Sequence, residues 1–77
     1  MRIIIDLGDD YCWSKNIMAH LKHIGAQYHF EPGKYYEYVD KKIIPMSMAE
    51  YKGIYDPERC VLIDQSSSWE KVKEYLI

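Results

Sequence analysis

Two aromatic-rich runs on either side of Pro32-Gly33 constrain the fold of this 77-residue chain more than any other feature. The first run, residues 26–31, alternates apolar with polar residues, and a period of two is typical of a half-buried strand. The second run, residues 35–41, is rich in tyrosine. Because proline restricts φ and glycine accepts positive φ, Pro32-Gly33 is predicted to form a turn. We therefore predict a β-hairpin that has its strands in these two runs.

Hydrophobic spacing and capping residues predict the other elements. Apolar residues recur at helical spacing between residues 11 and 24, where Asp9 or Asp10 can cap the start and Gly25 can end the helix. A proline at position 45 is expected to end the regular structure that follows the hairpin. The remaining predicted elements are a buried strand at Arg2–Leu7, a short helix near residues 47–54 that begins with the capping box Ser47/Glu50, a strand at Arg59–Asp64, and a final helix. Ser66, Ser67 or Ser68 can cap this last helix, and Ser67 stands at capping-box spacing from Glu70.

This order predicts one small α/β (α+β) domain that spans residues 1–77. Its first six elements match the βαββαβ order of ferredoxin-like domains, with a helix added at the C-terminal end. A thioredoxin- or glutaredoxin-like fold is the alternative, although its second strand would lead into a helix. A small three-layer parallel sheet is a third arrangement.

Composition and charge narrow the classes of partner. The net charge is −2 and the basic residues are scattered, so we do not expect nucleic acid to be the main partner. No apolar run approaches the roughly 18 residues that a membrane span requires. Cys12 and Cys60 form no C-x-x-C motif, and a disulfide between them is not expected in a reducing compartment. We predict a cytoplasmic protein, in a host or infected cell, that needs no cofactor.

Carboxylates near strand ends suggest a metal site as an alternative. Asp6 ends the first strand, Asp9 and Asp10 follow it, and Asp64 ends a later strand. Oxygen ligands of this kind suit Mg²⁺, which could activate water in a phosphoesterase. Asp64 would join the group only if the two strands were parallel. The simpler interpretation is that these aspartates cap a helix and begin turns.

Cys12 and three histidines are the other candidates for chemistry. The segment Tyr11-Cys12-Trp13-Ser14 follows the first strand, and in this respect the chain resembles the glutaredoxin family. The resemblance implies a reactive thiol at Cys12, but Lys15 stands where that family has its second cysteine or a serine. His20 and His23 share a helix face, and His29 follows in the next segment, so these residues could bind a metal ion. Solvated surface histidines are the simpler interpretation.

A second resemblance follows from the order of a few residue types. A strand that ends at Asp6, a later Phe30-Glu31 and the segment Asp56-Pro57-Glu58 look like the small CRISPR adaptation nuclease subunits. That resemblance implies a ferredoxin-like dimer that binds metal through the aspartate of its first strand.

The surplus of aromatic residues supports a different function. Eight tyrosines are present, and tyrosines beside acidic residues are typical of protein interfaces. We predict a non-enzymatic interaction or regulatory module, such as a phage- or virus-type modulator of a larger host machine, that forms a homodimer or binds a protein partner. The predicted partner-binding residues are Tyr35, Tyr36, Glu37, Tyr38 and Asp40.

Overall fold

The computed structural model describes residues 1–31 and 33–77. One four-stranded sheet and three helices confirm the mixed α+β class. None of the helices formed by these residues is long and apolar enough to cross a bilayer. The elements in chain order are β1 (Arg2–Asp6), α1 (Tyr11–His23), β2 (Tyr35–Val39), β3 (Lys42–Met46), α2 (Met48–Ile54), β4 (Cys60–Ile63) and α3 (Trp69–Tyr75).

The sheet has the order β3-β2-β1-β4, which differs from the predicted topology. β2 is antiparallel to both β1 and β3, whereas β4 is parallel to β1. The ferredoxin-like topology is not confirmed, because its last strand runs antiparallel to its first. The thioredoxin-like alternative expected a helix after the second strand, and β2 instead continues through a tight turn into β3.

The hairpin lies eight residues further along the chain than the sequence predicts. Its turn is Asp40-Lys41, with φ values of 49° and 62°, between the paired residues Val39 and Lys42. Positive φ at both central residues is the geometry of a two-residue hairpin turn that matches strand twist. Gly33 also has a positive φ, of 77°, while Pro32 lies outside the described residues. The predicted turn at residues 31–34 therefore does not join two paired strands.

Residues 26–31, predicted as a strand, form an irregular segment that crosses the sheet without pairing to it. At one end the Gln27 amide donates to the Lys41 carbonyl (3.0 Å), and beyond the other end the Gly33 amide donates to the Gly8 carbonyl (2.6 Å). The segment must run along the length of the strands, because α1 ends near one end of the strands and β2 begins at the other end. Ala26 and Phe30 of this segment are buried in the core. The apolar residues that suggested a strand therefore pack into the core without belonging to a strand.

The main core lies on one face of the sheet, which we call the first face. Ile5 of β1 and Tyr36 and Tyr38 of β2 pack there with Ile17 and Leu21 of α1. Val72 of α3 and Leu76, directly after that helix, close the same cluster with fully buried side chains. The apolar stripe that predicted α1 is therefore the surface through which it packs against the sheet.

Local capping explains where the helices begin and end. Asp10 caps α1 by accepting from the Trp13 amide at 3.1 Å, and Gly25 ends it with a positive φ of 77°. The predicted capping box at the start of α2 is confirmed. α3 is capped by Ser68, one of the three serines predicted to cap it, which accepts from the Lys71 amide.

Pro45 does not end the regular structure, contrary to the prediction from sequence. It lies within β3, opposite Tyr36. β3 is an edge strand, and only one of its sides is hydrogen-bonded to a neighbouring strand. Proline has no backbone N–H, and it is tolerated where that position faces away from the paired strand. The same proline protects this edge from pairing with strands of other chains.

Candidate functional site

The opposite face of the sheet, the second face, is covered only in part. Ile4 is fully buried there, and the Cys60 thiol donates to the Ile54 carbonyl of α2 at 3.6 Å. α2 has seven residues, none of them buried, and it covers only the end of this face nearest β4 and the tyrosine stack described below. Helix α2 reaches β2 through Tyr35, whereas Val39 and Ile44, further along β2 and β3 on this face, are exposed.

Apolar side chains are exposed on this uncovered part. Val39 is 40% exposed and Ile44 is 50% exposed, and they lie diagonally across the β2–β3 pair. Met46 is half-buried on the same face, and Met48, the first residue of α2, is 50% exposed. We call Val39, Ile44, Met46 and Met48 the open strip. Exposed apolar side chains grouped on one face are typical of sites of association.

A stack of three tyrosines borders one end of the open strip. The rings of Tyr35 and Tyr51 are stacked, with centroids 4.3 Å apart, and Tyr55 lies 5.2 Å from Tyr51. Burial raises the pKa of Tyr35, and the negative charge of Asp6 adds to this increase. Burial also raises the pKa of Tyr51, with smaller contributions from its tyrosine neighbours, Asp6 and Asp64. The stack fixes Tyr35 in place beside the strip.

An ion pair borders the other side of the open strip. Arg2 donates twice to the Glu37 carboxylate, at 2.9 and 3.1 Å. This two-fold hydrogen bond and the charge of Glu37 raise the pKa of Arg2. The Glu37 side chain is only 14% exposed, so Arg2 holds it against the sheet.

The predicted partner-binding residues fall on two faces of the sheet. Tyr36 and Tyr38 are buried in the core, where the Tyr36 hydroxyl accepts from the Glu31 amide and the Tyr38 hydroxyl donates to the Ile77 carbonyl. Burial raises the pKa of Tyr38. Tyr35 and Glu37 lie on the second face, and Asp40 lies in the exposed hairpin turn. The aromatic pattern did not indicate the open strip, because its members are aliphatic residues and methionines.

Because β1 and β4 are parallel, Asp6 and Asp64 lie at the same, C-terminal, end of these two strands. Each carboxylate is engaged locally: Asp6 accepts from the Gly8 amide, and Asp64 accepts from the Ser66 and Ser67 hydroxyls. Asp10 caps α1, and Asp9 is exposed. Within residues 1–31 and 33–77, no three acidic, histidine or cysteine side chains are arranged to hold a metal ion. Asp6 and Asp64 therefore hold local turns, and Asp10 caps α1.

The histidines are also separate from one another. His20 hydrogen-bonds through Nε2 to the Leu76 carbonyl at 2.7 Å and meets the Trp69 ring edge-on at 5.5 Å. His23 is exposed near the end of α1, and His29 is exposed in the irregular segment. His20 thus joins α1 to α3 and does not form a ligand set with the other two.

Cys12 lies in the first turn of α1 and is exposed, whereas Cys60 is buried, and both are free thiols. We expect 5,5′-dithiobis(2-nitrobenzoate) to modify Cys12 at least about a hundredfold faster than Cys60 under native conditions, since Cys60 becomes accessible only through local opening. Cys12→Ser should remove the fast phase and Cys60→Ser should retain it. Fast modification of both thiols would contradict the burial of Cys60.

Comparison of the chain with models of protein families, with characterised proteins and with solved structures finds no match.

Proposed function

We propose that this protein is a non-enzymatic interaction module that works as a homodimer through the open strip. The observation that carries the proposal is the exposure of Val39, Ile44 and Met48 along one side of a sheet that α2 covers only in part. A small domain gains stability when it buries such a surface against another chain, because its own core is limited by its size.

The charges that flank the open strip support a second copy of the chain as the occupant. Arg2 and Lys42 are basic, whereas Glu37 and Asp40 are acidic, so the flanks carry no net charge. A surface that meets its own copy about a two-fold axis must avoid opposing like charges, and balanced flanks allow this. Pro45 disfavours pairing through the β3 edge, so contact between the two open faces is the preferred geometry.

Dimerisation can be tested with Ile44→Asp in sedimentation equilibrium. We expect the native chain to form dimers and the variant to dissociate at least about tenfold more readily, because a carboxylate would be buried without a partner. Tyr11→Asp is the matched control, because it also replaces a large exposed side chain with a carboxylate. Tyr11 lies on α1, away from the open strip. Circular dichroism would verify that both variants are folded.

A native chain that stays monomeric at millimolar concentration would overturn the homodimer. Equal weakening by Ile44→Asp and Tyr11→Asp would overturn the position of the interface. Cytoplasmic action as a modulator of a larger host machine, of phage or viral type, stays a prediction from chain size and composition.

A further inference from the structure

A groove of about 790 Å³ lies between α1 and α3, on the side of the molecule opposite to the open strip. Its two helices are joined by His20, which hydrogen-bonds to the Leu76 carbonyl and contacts the edge of the Trp69 ring. These two contacts fix the orientations of His20 and Trp69 before any ligand arrives. The volume lies within the range of small-molecule sites, about 300–1,000 Å³.

The interior of the groove is mainly apolar. Ala19 of α1 and Ile24, directly after that helix, line one side, and Leu76 and Ile77 line it from the segment that follows α3. Trp69, the first residue of α3, forms one wall and is 44% exposed. An aromatic ring held in place beside aliphatic side chains provides a large contact area for an apolar ligand at little entropic cost.

The charged and titratable residues of the groove are all basic. They are His20, His23 and Lys73, and among the described residues no acidic side chain lines the groove. This bias contrasts with the net charge of −2 of the whole chain. Lys73 supplies one positive charge and His23 a further ring nitrogen for hydrogen bonding, which suits one singly charged group better than a multiply charged phosphate.

We propose that this groove binds a small organic monocarboxylate with an apolar body. The apolar body packs against Trp69 and Ala19, and the carboxylate accepts hydrogen bonds from Lys73 and His23 at the rim. The proposal is independent of the homodimer, because the groove shares no residue with the open strip.

The probes are dodecanoate and its uncharged counterpart dodecanol, both used below their aggregation concentrations. Binding is followed through the indole N–H signal of Trp69 in heteronuclear NMR spectra. We expect saturable binding of both, with dodecanoate bound about fivefold more tightly because of the ion pair. Lys73→Gln should abolish this preference, whereas Lys71→Gln, on the same helix but outside the groove lining, should retain it.

Ala19→Phe tests the position of the site by filling the groove from an exposed helix position. We expect it to weaken binding of both probes at least about tenfold, since the ring would occupy the volume of the apolar body. Absence of saturable binding, or binding that Ala19→Phe leaves unchanged, would overturn the site. Equal affinity of the native chain for dodecanoate and dodecanol would overturn the assignment of a carboxylate ligand.

Discussion

Ile5→Ala is expected to reduce the free energy of unfolding by about 3–4 kcal/mol, because the substitution leaves a cavity in a close-packed core. Ile5 is fully buried between β2, β4 and the helices of the first face. A chain of this size has a total stability of roughly 4–12 kcal/mol, so this single change removes a large part of it. Urea denaturation followed by circular dichroism measures the difference.

Ile44→Ala is the matched control, because it makes the same chemical change in a neighbouring part of the same sheet. Ile44 is 50% exposed, so we expect a loss below about 1 kcal/mol. The experiment should be done at a concentration where the chain is monomeric, since association would add to the apparent stability. Similar losses for the two variants would contradict the assignment of the first face as the main core and the second as open.

The second large effect is expected at alkaline pH. The pKa values of Tyr35, Tyr38 and Tyr51 are raised above the ordinary value of 10.0, mainly by burial. Above this value the unfolded chain loses tyrosine protons that the folded chain still holds. The contribution of these residues to stability is therefore complete below pH 10 and is lost as the pH rises through their folded-state pKa values.

Tyr51→Phe isolates one of these contributions. We expect the free energy of unfolding to fall less steeply above pH 10 in this variant than in the native chain. The change in slope should be a fraction of the about 1.4 kcal/mol per pH unit that one whole proton would produce, because solvent screens a half-buried tyrosine. Urea denaturation at a series of pH values gives both slopes.

Tyr11→Phe is the control for this measurement, since Tyr11 is exposed on α1 and lies outside the tyrosine stack. Its alkaline slope should match that of the native chain. If Tyr51→Phe and the native chain had the same slope, burial would not raise the pKa of Tyr51 in the folded chain.

The candidate surfaces were less accessible to sequence analysis than the helices. Alternation along β2 places Tyr36 and Tyr38 on one face and Tyr35 and Glu37 on the other. It does not indicate which face is buried, and the structure shows that Tyr36 and Tyr38 are the buried pair. The groove between α1 and α3 depends on residues more than forty positions apart, such as His20 and Trp69. Sequence spacing within one helix contains no information about such a pair.

The amino-acid sequence by itself determined where the helices form, because helix signals are local. The helix at residues 11–23 follows from the cap at Asp10 and the stripe through Ile17 and Leu21, and α2 follows from the Ser47/Glu50 capping box. These signals depend on hydrogen bonds and side-chain contacts within one or two helical turns, which adjacent residues supply.

Only the tertiary structure decided how the strands pair. Asp40-Lys41 lacks the asparagine and glycine that usually mark a two-residue turn, whereas Pro32-Gly33 has turn residues but no paired strand before it. The β1–β2 and β1–β4 pairs join segments that are distant in the chain. Their partners and directions are set by which arrangement buries the most apolar surface, and that quantity belongs to the whole fold.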